Sequence, residues 1–277
     1  MVSWDYFNKD IHYKYVGFLI KGLSPVESAY LEFLRSSVDE QVHNTLKWYD
    51  EYQEDLKKLH DMGEFEDYYN DSRLEMVLIT FLGGLLDKNT EFIKNFYISG
   101  SNLADSHMGK NTHLLSSDEE ALSILTNYSN GVVESINQEF AYGVKQSIGE
   151  HIENKTLTDF KKDLIGLPYT PITTPFSVDN RCVFTTKTEY ARGVNTGVLQ
   201  GYSNYGVDVY DWVTSGLPNV CDTCKDYEAN SPYTLNEIIN MCPCHVNCVC
   251  SMKAKLPKEL YLQETPVIVD LTPKKRR

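Results

Sequence analysis

The chain has 277 residues, 42% of them hydrophobic, and a formal net charge of −13. That length supports one large domain or two of ordinary size, and the apolar fraction can fill a core, which excludes wholesale disorder. The acidic balance argues against nonspecific wrapping of nucleic acid, which needs basic side chains to displace counterions. No apolar run reaches the roughly 18 residues that a membrane-spanning helix requires.

The first third reads as helical. Ser24-Pro25 is a start signal, serine as cap and proline in the first turn. Leu31, Leu34, Val38, Val42, Leu46, Tyr49, Tyr52, Leu56 and Leu59 then recur at steps of three or four, one apolar stripe that Gly63 closes. Asp39, Glu40, Asp50, Glu54 and Asp55 form the solvated face. Leu74 to Leu86 predicts a second, buried helix, weakened by Gly83-Gly84. Residues 99–113 read as a loop holding His107 and His113.

A third helix opens at Ser117 with Glu120 in the capping-box position. Its stripe is Leu125, Tyr128, Val132, Ile136, Phe140, Val144, Ile148 and Ile152. A short helix follows around Phe160 and Leu164. Residues 166–180, with Pro168, Pro171 and Pro175, read as a linker. Thr186-Lys-Thr-Glu189 reads as another capping box, with Glu189 as its carboxylate, opening a helix that runs to about Tyr205 and ends at Gly206. Residues 207–214 and 251–255 predict two strands, and 265–271 a third.

Six of the seven cysteines lie between 221 and 250: Cys221-Asp-Thr-Cys224, then Cys242-Pro-Cys244-His245-Val-Asn-Cys248-Val-Cys250. The N-terminal Met1-Val-Ser-Trp-Asp-Tyr6 lacks the basic flank and apolar run of a secretory signal. The thiols are therefore expected in a reducing cytosol, where metal binding prevails over disulfides. A CxxC pair followed by a His/Cys cluster is zinc-ligand spacing. Cys221, Cys224 and His245 are the expected ligands, with Cys248 or Cys250 as the fourth. Cys242 and Cys244 read as spare small core residues, with a second metal as the alternative. A site filled by four protein ligands is closed, hence structural, and about one zinc per chain is expected. The zinc-deaminase pattern is not met: His151-Ile-Glu153 and Pro243-Cys244 are present, but the next cysteine, Cys248, is one residue too far. Phosphate-loop and nucleophile-elbow motifs are absent as well.

Thr186-Lys-Thr-Glu-Tyr-Ala-Arg-Gly-Val-Asn-Thr-Gly197, the strand bearing Trp212, the CxxC and Pro243-Cys-His-Val-Asn-Cys-Val-Cys250 together resemble a known family. They look like the C-terminal domain of phage head-morphogenesis proteins, the minor head proteins similar to phage Mu protein F. Lys187, Val246 and Val249 depart from the family's arginine, proline and arginine. Cys221, Cys224, His245, Cys248 and Cys250 fall on the family's Cys/His positions. The resemblance covers about a quarter of the chain, residues 181–253, and implies a portal-associated minor component of the head, needed for head assembly or for DNA packaging and ejection.

The expected fold is a mainly α N-terminal part with a small α+β, zinc-stapled C-terminal domain. Its expected segments are 1–115, unmatched; 116–180, helical with the proline-containing linker; and 181–277, the minor-head-like domain. The expected partners are portal and other capsid proteins, with weak DNA contact through the basic tail Lys274-Lys-Arg-Arg277, and no membrane. The expected location is the virion head, and no catalytic residue is assigned. A virion-delivered metalloenzyme or toxin, and a host zinc-binding adaptor, are the alternatives.

Overall fold

The computed structural model describes residues 22–62, 72–109, 116–154, 157–172, 177–216 and 220–255. Most of them are helical. Long helices come first: α1 (Pro25–Asp61), α2 (Ser72–Met108), α3 (Ser116–Asn154), α4 (Leu157–Gly166) and α5 (Val178–Ser203). A small antiparallel sheet near the C-terminus follows, from β1 (Val209–Val213), β2 (Tyr233–Thr234) and β3 (Ser251–Ala254), with short helices α6 (Asp222–Ala229) and α7 (Leu235–Ile238) between strands. A mainly α chain with a small α+β C-terminal part is thus what the sequence expects. Two compact units interleave along the chain. One is drawn from Pro25–Ile93 and Thr126–Thr186, the other chiefly from Lys94–Leu125 and Lys187–Arg277.

In the first unit, α1 buries Leu31, Leu34, Val38, Val42, Tyr49 and Leu56 of the expected stripe, widened by Tyr30 and Trp48. Burying such apolar side chains contributes roughly 1.5–3 kcal/mol each before the entropy of ordering is charged. Several polar groups inside the seam bond one another. The Tyr30 hydroxyl donates to Asn89 at 2.5 Å, and the Asn89 amide donates to Ser129 at 3.2 Å and Asn130 at 2.8 Å. Gln41 pairs with Asn137. This polar seam shifts the stripe of α3: Val133 is buried where Val132 was expected, and Tyr128 is 53% exposed. Ser129, fully buried, takes the position that a purely apolar reading gives to Tyr128. Arg35 grips Asp179 through two hydrogen bonds of 2.6 and 2.9 Å.

In the second unit, α2 and α5 approach backbone to backbone. A Cβ on Gly197 would lie 2.0 Å from the Tyr97 carbonyl oxygen, and one on Gly100 would lie 2.0 Å from that of Val194. The reading of residues 99–113 as a loop is therefore corrected: α2 is continuous to Met108, and Gly100 is a packing residue within it. Gly206, at φ +78°, ends α5 as expected. Its amide bonds Ser203 at 2.8 Å and the Val207 amide bonds Tyr202 at 3.2 Å, the two carbonyl contacts of a Schellman stop. The sheet order is β2-β1-β3, with Trp212 opposite Met252 and Tyr210 opposite both Tyr233 and Ala254. Alternation turns Tyr210, Trp212, Met252 and Ala254 inward.

The start of α5 also differs from its expected place. It begins at Val178, so Thr186 and Glu189 stand inside the helix rather than at its cap. The cap is Ser177, whose hydroxyl accepts the Asn180 amide at 3.3 Å. Thr186 instead returns its hydroxyl to the Cys182 carbonyl, 2.9 Å away. The first residues of α5 fall within what reads as linker, which is shorter than expected: a 3-10 turn, Leu167–Tyr169, and a bridge between Pro171 and Ser177 are ordered there. Gly63, His113, the 265–271 strand and the basic tail lie outside the described residues.

Gly197→Ala should cost about 3 kcal/mol, because a backbone carbonyl cannot yield to the new methyl. Gly131→Ala, with open space around it, should gain about 0.5–1 kcal/mol. Urea unfolding of both variants checks the contrast. Burial pushes the Cys182 thiol up to about 12, so it should resist alkylation at neutral pH in the native chain and react only after unfolding, as mass spectrometry of iodoacetamide-treated protein would record.

Candidate metal centre

The cysteines of residues 221–250 converge within the second unit. Cys221 is the N-cap of α6, and its sulfur accepts the Cys224 amide at 3.4 Å. One helical turn thus aims both sulfurs to one side. Positive backbone charge at a helix start also favours thiolate there. Against desolvation, the Cys224 amide and the neighbouring His245 hold the Cys221 thiol below its ordinary value. Burial pushes Cys224 up to about 12.

The second clip comes from residues 241–250, which form turns rather than helix or strand. Asn247 adopts φ +63°, tolerable for asparagine. Its amide donates to the Thr188 hydroxyl at 2.8 Å, tying the turn to α5. His245 Nδ1 lies 2.8 Å from the Val246 carbonyl. A carbonyl only accepts, so Nδ1 carries the hydrogen and Nε2 presents its lone pair. That lone pair lies 3.2 Å from Cys221 Sγ and 3.5 Å from Cys224 Sγ.

Among the described residues, two groups of side chains could hold a metal ion. Cys221, Cys224, Cys244 and His245 form the first, with ligand atoms all within 4.8 Å of one another. Cys224, Cys248 and Cys250 form the second by the same measure. All five residues expected from the sequence are in one group or the other. Cys244, read as a spare core residue, stands in the first, 3.3 Å from Cys224 Sγ. Its sequence signal was hidden by adjacency to His245. Neighbouring residues on a helix or strand point apart, whereas in a turn both can point inward. Cys242 is buried as expected and accepts the Asn195 amide at 3.2 Å.

Asn195 was noted only as part of the family pattern, and its position explains it. From the buried face of α5 it donates to the Cys250 carbonyl at 3.0 Å and accepts the Met252 amide at 3.1 Å. One side chain thereby holds both the end of the cysteine loop and the start of β3. Glu189 is 1% exposed, with Arg192 Nε 3.4 Å from its carboxylate. His151-Ile-Glu153 stays on α3, away from the cysteine loop in sequence, and its side chains lie outside those described.

No family model, curated protein or solved structure matches the chain.

Asn195→Ala should destabilise the protein by about 3 kcal/mol, since it strands a buried carbonyl and a buried amide. Chemical denaturation measures this. Against desolvation, the Val246 carbonyl and the negative sulfurs raise the affinity of His245 for a proton. A proton on Nε2 blocks metal binding. Metal affinity, followed by competition with a chromophoric chelator, should therefore fall as pH drops through the titration of His245, a step that a His245→Cys variant should lack and replace by thiol protonation at higher pH.

Proposed function

We propose that this chain is a structural, assembly-type minor head protein of a tailed phage or prophage, its C-terminal part stapled by zinc. The observation that carries the zinc reading is the donor set. Tetrahedral zinc, with bonds of about 2.3 Å to sulfur and about 2.0 Å to nitrogen, has edges of roughly 3.8 Å between sulfurs and 3.5 Å between sulfur and nitrogen. Within the set Cys221, Cys224, Cys244 and His245, three separations are 3.2, 3.3 and 3.5 Å, and none exceeds 4.8 Å. Soft thiolates with one imidazole select zinc over magnesium or calcium. Four protein donors, Cys221, Cys224, Cys244 and His245, fill one tetrahedron and leave no position for water, which favours a structural over a catalytic metal.

The assembly reading rests on the resemblance, and the roles of its residues support it. Thr188 anchors the Asn247 turn, Asn195 anchors the loop and β3, and Trp212 fills the core beneath the cysteines. Each acts on the fold rather than towards a substrate. Long helices α1 and α3 supply the surface expected to grip the portal, and the basic tail supplies a weak, salt-sensitive contact to DNA.

Elemental analysis of purified protein should find at least one zinc per chain, and chelation should lower stability by several kcal/mol. Protein lacking metal but melting at the same temperature would end the zinc reading. For the assembly reading, co-expression with the portal protein of the same genome should give a complex that depends on the first 150 residues. Full-length chain that ignores the portal yet binds duplex DNA tightly at physiological salt would overturn it.

A further inference from the structure

The cysteine loop offers more ligands than one metal uses. With Cys221, Cys224, Cys244 and His245 around one ion, Cys248 and Cys250 remain, 2% and 4% exposed and grouped around the same Cys224 sulfur. Cys248 Sγ lies 3.8 Å from Cys224 Sγ, close to a sulfur–sulfur edge of a zinc tetrahedron. Cys242 stands outside both groups, but its thiol adjoins that of Cys248 and donates to the Cys250 carbonyl at 3.4 Å. Two tetrahedra that share one corner need seven donors. The segment 221–250 supplies six thiols and one imidazole.

From this geometry we infer a binuclear centre: a second soft metal ion held by Cys248, Cys250 and Cys242, joined to the first through a bridging Cys224 thiolate. This extends the zinc reading above and depends on it. The positions differ in character. The first includes the exposed His245 and half-buried Cys221 and Cys244, whereas Cys242, Cys248 and Cys250 of the second are all buried. The outer ion should therefore exchange with added chelator sooner than the inner one.

The test is metal stoichiometry of the full-length chain, reduced, loaded with zinc chloride and desalted, together with cadmium-113 NMR after replacement by cadmium. The expected result is two metals per chain and two cadmium resonances in the thiolate-rich range. Cys250→Ser should reduce the count to one and remove one resonance, while Cys224→Ser should perturb both. A wild-type chain that saturates at one metal, with one resonance, overturns the binuclear centre and leaves the single-zinc reading intact. A chain that takes up no metal overturns both. Two metals with Cys250→Ser still binding two would place the second ion elsewhere and also overturn the proposal.

Discussion

Convergence of sulfur on one point is the constraint on which the C-terminal part of this protein rests. Between residues 220 and 250 the fully buried apolar side chains other than cysteine are Ile238 and Pro243. Cys224, Cys242, Cys248 and Cys250 supply the remaining fully buried side chains of that segment. These side chains join a core that Ala104, Leu199, Tyr210 and Trp212 also build, but add little apolar surface of their own to it. Metal–thiolate bonds would add to that burial, because their formation is coupled to folding. The sheet above the loop is equally modest: β2 has two residues and β3 four. Strands of this length hold only when something fixes their ends. α6 and the turns at 241–250 do so if their sulfurs share a metal.

The helical framework meets this loop through few but specific contacts. α5 presents Thr188 and Asn195 on one face, and each holds backbone of the cysteine segment. On another face, Gly193, Gly197 and Gly201 lie against α2 closely enough that a methyl at any of them would come within 3 Å of a neighbour. Close packing of this kind fixes the height of α5, and with it the positions of Thr188 and Asn195. The motif that runs from Thr186 to Gly197 thus combines a helix-packing seam with a loop anchor.

Legibility in the sequence followed the physics of each segment. α1 was readable because its stripe is apolar and long, and the structure buries most of it. α3 was readable as a helix but not in phase, since Ser129 and Asn137 occupy seam positions that apolar periodicity assigns to others. The start of α5 was misplaced because a capping-box pattern occurs inside the helix, while the real cap, Ser177, hides behind prolines. Gly100 reads locally as a loop residue, and only its distant partner Val194 reveals the packing role. The CxxC and the His/Cys cluster were evident from spacing. How the thiols divide between groups was not, because in turns the direction of each side chain depends on backbone angles that spacing does not encode.

Hydrogen–deuterium exchange of the full-length chain, metal-loaded and then chelated, tests the central claim most directly, since it reports stability segment by segment. If metal holds the C-terminal part together, chelation should collapse protection in residues 209–213, 222–229 and 251–254 while the buried stretches of α1 and α3 keep theirs. Unchanged protection in the sheet and α6 after complete removal of metal would contradict the account.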